Sequence, residues 1–594
     1  MTSRLTAKAF PAAAVLLPLT SACLLRSWLG VRPFPSIDEL AYAPSFRAAV
    51  DPAPYARDLM VSGMPNHAFI WSLTFRLAEA SGHLATVMYA LTFVLSVLML
   101  IAVFRLLRAF HVPGALLPVA AILAFATVLN GFGRGTYDGA FGLGLHGQWM
   151  ALIALLMAYG SLARERFVVT GIWLGIAVLS HVAVAVHGVV VVVFGVAASR
   201  PRSDWLRTLV RIGIACALVG APVILSILVS LSRPQAAVLV ANHAALSQVP
   251  GVDMIQDLWR RRLIHEFSWN VSLFEGIALP LYLLAGVVGL RMLRRNADAV
   301  TAARVVSGIL VGHLLIALAA LIFYGPLADA SQIPYLLSLT RTTPLLIVLC
   351  ATTAVAALER IVIESSNERT VVVLATPMLL LLIIFVAWTP ELAALLAFGS
   401  VALAAVLKTR SLRMQWVATA FGIVTCAAAL VHAVARDQRT VDVAPSDAAL
   451  FAYARTASPP DALFIVPPGL DGFRFFAQRA VYVDWRLFPT PAPKLLPVWF
   501  ARLKEVAAPD DSILKTRGWD SVPLWDASYA RRNTPDRIAH LLSDTGADYF
   551  VSDISQRKAI RPDSRDLSSA GLETTFVNSR FVVYRRQTNA GGHD

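Results

Sequence analysis

Apolar runs of about twenty residues, the length an α-helix needs to cross a hydrocarbon core roughly 30 Å thick, recur along the first three quarters of the chain between short polar stretches. Segments near 10–30, 84–107, 113–130, 142–162, 206–232, 273–293, 303–325, 341–358, 370–388, 391–407 and 414–435 have that length. The run 167–198 is longer, and as a single helix it would reach roughly 48 Å. Crossing once, it would leave the stretch holding Arg200, Arg202, Arg207 and Arg211 outside. Broken into a hairpin near Ser180 and His181, it would put those arginines inside, as the positive-inside rule prefers. The hairpin, with two short or re-entrant halves, is the reading adopted. It gives about 13 transmembrane segments, with the N-terminus cytoplasmic and the C-terminal end extracytoplasmic.

Beyond Arg436 the pattern changes to short β-branched and aromatic runs alternating with amphipathic stretches. It predicts helices over 446–457 (capped by Ser446), 494–507 and 535–543. Strands are expected over 462–466, 480–485, 549–552, 574–577 and 581–585. The fold class is therefore a polytopic α-helical membrane protein, residues 1–435, followed by a small extracytoplasmic α/β domain, residues 436–594.

Composition sharpens this picture. Of 594 residues, 57% are apolar and 15% charged, with a mean hydropathy of +0.65, far from a water-soluble balance. The net charge of +14 would by itself suggest a nucleic-acid partner. Its distribution excludes that reading. The loops assigned to the cytoplasm carry 19 Lys and Arg against 6 acids, the outer loops 11 against 12, and the C-terminal region 21 against 19. The charge is mainly an orientation signal, consistent with a multi-pass protein of a plasma (inner) membrane. Cys23, Cys216, Cys350 and Cys426 all fall in apolar segments, so neither a disulfide framework nor a thiolate metal site is implied. The basic start with Arg4 and Lys8 leads into an apolar run lacking a clear small-x-small cleavage site, and is read as a retained first helix.

Short cytoplasmic turns leave little room for chemistry, which directs attention to the first outer loop, 31–82. Asp38 and Glu39 stand just beyond the first helix, followed by Asp51 and then Tyr55, Arg57 and Asp58. A carboxylate just above a bilayer can serve as general base for an acceptor hydroxyl, or hold a divalent cation or a basic group. Ser36 and Glu39 also form a capping box, which predicts a helix from about Ile37 and leaves Asp38 free to face a cavity. Arg341 at the outer mouth of a helix and Arg134 between Gly133 and Gly135 are candidate phosphate ligands, though each also reads as an interfacial or turn residue. His146, His181, His187 and His313 read as a proton relay or as hydrogen-bonded interior residues. They show no zinc-ligand spacing. His265 lies where an outer loop re-enters the bilayer, beside Arg260, Arg261 and Arg262. In the C-terminal region, Asp471, Arg474, Arg479, Asp484 and Arg486 gather after the first strand, where open α/β sheets favour ligands.

The Asp38–Glu39 pair opening a large outer loop, with many further helices and a C-terminal outer domain, resembles the GT-C class of polyprenyl-phosphate-sugar-dependent membrane glycosyltransferases. The pair is similar to the acidic pair in the first loop of protein O-mannosyltransferases and aminoarabinose transferases. Locally, GLGLHGQWMALIALLMAYG, YLLSLTRTTPLLIVL and DALFIVPPGLDGFRFFAQRAVYVDWRLFP look like uncharacterised bacterial polytopic membrane proteins of that build. The Lys-Pro-Pro-Leu or His-Pro-Pro-Leu stretch ending the first loop in several such enzymes is absent; Gly63-Met64-Pro65-Asn66-His67 takes the comparable position.

The resemblance implies an inverting transfer from a polyprenyl-phosphate sugar to a glycan, lipid or protein acceptor. In that reading Asp38 is the base, Glu39 its assistant and Asp58 a second acid. Arg341 or Arg134 holds the departing phosphate, and Tyr55, Arg57, His67 and His265 contact substrate. It implies no organic cofactor, and a divalent cation is compatible with it. A transporter or lipid flippase and a non-catalytic scaffold are the alternative classes.

Overall fold

In the computed structural model, residues 37–63, 69–112, 147–232, 273–324, 343–364, 443–485, 487, 495–510, 513, 522–556 and 564–587 are described. The expected spans near 10–30, 113–130, 370–388, 391–407 and 414–435 lie outside them. The membrane-region helices run α1 (Ile37–Ala48), α2 (Leu59–Gly63), α3 (Phe69–Ala80), α4 (Leu84–Ala109), α5 (Gly147–Leu162), α6 (Phe167–Ser180), α7 (Val182–Ser199), α8 (Arg202–Ser232), α9 (Leu273–Leu293), α10 (Val300–Tyr324) and α11 (Thr343–Glu364). Among the described residues, three stretches are long and apolar enough to cross a membrane: Val182–Ser199, Arg202–Leu228 and Val300–Ala319. Along α8, Leu206, Val210, Ile214, Leu218 and Leu225 are all exposed, Leu218 by 74%. An apolar stripe of that extent on a soluble protein would be an aggregation surface; here it marks an embedded, lipid-facing helix.

The long run 167–198 is indeed divided. His181 adopts an extended conformation between α6 and α7, and its Nδ1 accepts the Val184 N–H at 3.4 Å, capping α7. The chain then turns back on itself. Arg200, just past the end of α7, pairs with Glu165 at 2.8 Å. Its guanidinium also lies 5.1 Å from the ring centroid of Phe167, the first residue of α6. Small residues let these helices approach closely. A Cβ at Gly171 of α6 would strike the Ile212 carbonyl of α8, and one at Gly308 of α10 would strike the Phe194 carbonyl of α7. At one end of the bundle, Arg164 donates to the Arg105 carbonyl at 3.0 Å. Burial, together with Arg105, Arg166 and Arg108 nearby, lowers its pKa.

The C-terminal residues form α12 (Pro445–Ala457), β1 (Leu463–Ile465), α13 (Phe473–Ala477), β2 (Ala480–Val481), α14 (Leu496–Ala507), α15 (Val522–Arg532), α16 (Pro535–Thr545), β3 (Tyr549–Asp553), α17 (Ser564–Ser569), β4 (Leu572–Val577) and β5 (Phe581–Arg586). The sheet order is β2-β1-β3-β5-β4, with β2, β1 and β3 parallel and β3, β5 and β4 antiparallel. Parallel strands covered on both faces are continuously apolar, and β1 and β3 are buried at every position. Phe464 stacks on Tyr549 at 4.7 Å and Tyr529 of α15 on Phe550 at 5.1 Å.

Two local readings are corrected. The strand expected over 480–485 is only Ala480–Val481: the Tyr482 N–H still donates to the Phe464 carbonyl of β1 at 2.8 Å, and beyond it the chain leaves the sheet as Asp484 turns inward to Arg474. Helix α12 begins at Pro445 with Ala444 as its cap and no side-chain cap bond; Ser446 sits inside the first turn and its hydroxyl donates to Asp447.

Candidate functional site at the first loop

A helix does begin at Ile37, so Asp38 and Glu39 occupy the first turn of α1. An acidic first turn suits a helix N-terminus, where free N–H groups carry partial positive charge. The packing of α1 comes from its apolar side. Phe46 meets Trp71 and Phe75 of α3 at ring-centroid distances of 5.0 and 5.8 Å, and Tyr42 meets Trp71 at 5.4 Å. At the far end, Arg47 donates to Glu79 of α3 at 2.7 Å and to the Phe475 carbonyl of α13 at 2.6 Å. Its guanidinium also lies 4.6 Å from the Phe475 ring.

The loop residues beyond α1 also meet the C-terminal region. Tyr55 is buried, and its hydroxyl donates to the Arg474 carbonyl at 3.1 Å. Burial raises its pKa, with Arg47 opposing. Arg57 is exposed; it donates to Asp548 at 2.6 Å and to the Gly546 carbonyl. Asp58 is fully buried, and three backbone N–H groups and a guanidinium surround it. Its Oδ1 accepts the Met60 and Val61 N–H groups at 3.1 Å, capping α2, while Oδ2 accepts Arg474 Nε at 2.6 Å and the Val481 N–H at 2.9 Å. Arg474 also pairs with Asp484, whose Oδ1 accepts the Leu487 N–H at 2.9 Å.

Two buried carboxylates therefore share one buried guanidinium, and backbone N–H groups supply the remaining donors. Burial disfavours the Arg474 cation, but Asp484 and Asp58 outweigh that and raise its pKa. Val481 belongs to β2, an edge strand whose outward N–H would otherwise be an open pairing site. The loop-one carboxylate closes it.

Among the sequence candidates, the structure brings Tyr55, Arg57 and Asp58 together against the C-terminal region, with Asp38 and Glu39 at the opposite end of the helix that leads into them. Arg341, Arg134, His67, His265, His146 and Arg486 lie outside the described residues. Of the C-terminal charges, Arg474 and Asp484 join the triad, whereas Arg479 donates to the carbonyls of Arg455 and Ser458 and so closes the end of α12. Among the membrane histidines, His181 is the α7 cap, and His313 is buried with its Nε2 3.1 Å from the Tyr159 hydroxyl. Among the described residues, no three His, Cys, Asp or Glu side chains converge as a metal site.

Sequence reasoning missed Arg47 and the pairing of Arg474 with Asp58. A signal was present for Arg474, since a guanidinium inside Phe473-Arg474-Phe475-Phe476 must find partners if the aromatic run is buried. Nothing local pointed to Asp58 as that partner.

Residues 446–506 match the family model described as a domain of unknown function, DUF6798. No curated protein matches the chain by sequence. Among solved structures, the chain is similar to ArnT from Cupriavidus metallidurans bound to undecaprenyl phosphate, at 14% identity and a TM-score of 0.44 over 98% of each chain. It is also similar to the oligosaccharyltransferase AglB from Archaeoglobus fulgidus in complex with an inhibitory peptide and a dolichol-phosphate. That match has 14% identity and a TM-score of 0.43, covering 98% of this chain and 74% of that one.

Proposed function

We propose that the protein transfers a sugar, with inversion, from a polyprenyl-phosphate donor to an envelope glycan, lipid or protein at the outer face of a plasma membrane. The observation that carries this reading is the acidic pair Asp38–Glu39 in the first turn of a helix fastened at its other end. It has the residue types and the chain position on which the resemblance to GT-C enzymes rests.

In this reading Asp38 takes the proton of an acceptor hydroxyl while the hydroxyl oxygen bonds to the anomeric carbon. The bond from that carbon to the phosphate oxygen breaks, and the lipid phosphate leaves with the bonding pair. Glu39 supports Asp38. Arg341 or Arg134 steadies the leaving phosphate, and His67 and His265 belong to the substrate-facing loops. Tyr55 and Arg57 act from the loop's far end, and a divalent cation is compatible with the acidic pair.

The orientation, with the N-terminus and the Arg105, Arg108, Arg164 and Arg166 cluster cytoplasmic and the C-terminal domain outside, is supported by the excess of basic residues in one set of loops. General base catalysis contributes about 10²- to 10⁴-fold. Asp38→Asn is therefore expected to lower turnover by about that factor while the protein still inserts, and wild-type turnover by this variant removes Asp38 from the mechanism.

A second reading, transport or lipid flipping, is favoured by one observation, the buried Tyr159–His313 pair between α5 and α10. Uptake into sealed vesicles that stops when the proton gradient is collapsed would select it.

A further inference from the structure

We propose that the C-terminal region is the latch that positions the acid-bearing helix α1, with Arg474 as its central positioning residue and Asp58, Tyr55 and Arg47 as the loop-one side of the contact. This inference rests on the reading of Asp38 as the base. It adds how that base is held.

Between Leu40 and Asp58 the first loop meets the C-terminal region through Arg57 at Gly546 and Asp548, and at three further places around α13. Near the acidic pair, Leu40, the residue after Glu39, packs at the start of α13: its Cδ2 lies 3.5 Å from where a Cβ of Gly472 would stand, and Gly472 holds φ at +84°. Midway, Arg47 bonds the Phe475 carbonyl. At the far end, Tyr55 bonds the Arg474 carbonyl, and Asp58 takes the Arg474 guanidinium and the β2 edge. The three anchors converge on the five-residue helix Phe473–Ala477, its cap and the strand after it. Both Asp58 oxygens already accept two donors each at 3.1 Å or less. A carboxylate so engaged fixes a chain segment and has no lone pair free for an acceptor proton, which separates its task from that of Asp38.

The test is hydrogen exchange on the purified full-length protein in lipid nanodiscs, comparing wild type, Arg474→Gln, Arg474→Lys and Arg57→Ala. Exchange at residues 37–48 is expected to rise at least tenfold in Arg474→Gln and less in Arg474→Lys, while residues 147–199 stay protected in both. Arg57→Ala, which loses only the exposed contacts to Asp548 and Gly546, should raise exchange at 59–63 and leave 147–199 unchanged. If Arg474→Gln unfolds throughout, exchange at 37–48 in Arg474→Lys decides instead, and no rise there overturns the latch. Unchanged exchange at 37–48 in both Arg474 variants overturns the latch whatever the protein's activity.

Turnover with a polyprenyl-phosphate sugar provides the second readout. The latch predicts a lower kcat at unchanged KM in Arg474→Lys, and an unchanged kcat with a loosened α1 overturns its positioning role. If α1 loosens as expected but Asp38→Asn turns over normally, the assignment of Asp38 as the base fails and the latch on α1 stands; no turnover of a polyprenyl-phosphate sugar by the wild type is what would sink the sugar-transfer reading.

Discussion

At the scale of single residues, burial decides what each charged contact contributes. Arg57 and Asp548 form a short ion pair, but their side chains are 37% and 42% exposed, and such pairs typically contribute about 0–1 kcal/mol. Arg474 and Asp58 are 3% and 0% exposed, and removing one partner of a buried pair typically costs about 3–5 kcal/mol because the other charge is stranded. Arg57→Ala should therefore leave the thermal transition of the detergent-purified protein nearly unchanged, and Arg474→Ala should lower it strongly; comparable shifts would show that the triad is solvated. Asp526 of α15 offers a pH signature. Burial pushes its pKa up to about 6, against the Gly469 N–H bond that favours the charged form. The folded state then holds a proton that the unfolded chain has released between about pH 4 and 6, so this group adds stability as pH falls through that window and withdraws it as pH rises past 6. Asp526→Asn should flatten that dependence, by about 1–3 kcal/mol in a denaturant titration of the full chain at pH 4.5 and pH 7.5. Little of this is legible in the sequence. There Asp58 is a candidate second acid for substrate or cation, and nothing near it points to its partner 416 residues away.

At the scale of elements, periodicity and capping are more informative than charge chemistry. The capping-box expectation of a helix from Ile37 agrees with α1, and the break expected near Ser180 and His181 agrees with the α6–α7 junction, to within a residue. Those signals are local, set by turn geometry within four residues or by the bilayer's fixed thickness. Helix α3 was not foreseen, although Trp71, Phe75 and Ala78 have helical spacing and are all buried; inside a loop assigned to the outer face, a short amphipathic stretch gives a weaker signal than a span. The same limit hid α13 and α15. Packing within the bundle predicts opposite outcomes for two glycines of adjacent helices. Gly171→Ala drives a methyl into the Ile212 carbonyl and should destabilise by about 1–3 kcal/mol. Gly213 of α8 has open space around its missing Cβ, so Gly213→Ala should be neutral or stabilising by up to about 1 kcal/mol. Melting temperatures of the two variants in one detergent test both; equal losses would show that α6 and α8 are not in close contact.

At the scale of the whole molecule, the division into an apolar region and a charged C-terminal region is plain in composition, but the joint between them is not. Composition treats the two as consecutive, whereas the geometry makes the first loop and the last quarter of the chain one assembly. A chain ending before residue 443 should consequently expose loop one. Trypsin should cut it after Arg47 and Arg57 while sparing the same bonds in the full-length protein, and equal cleavage of the two forms would mean that the loop is ordered by the membrane helices alone. The joint also has a consequence for synthesis. With Arg474 416 positions beyond Asp58 and elongation at about 5–20 residues per second, loop one leaves the ribosome roughly 20–80 s before its partner exists. During that interval the β2 edge that Asp58 will close has not been made, and the acidic helix has nothing from the C-terminal region to hold its far end. If the proposed latch holds, a newly made chain fixes its acid-bearing segment fully only once the last quarter of the polypeptide has begun to arrive, and the contact then acts as a completion check on the polypeptide itself.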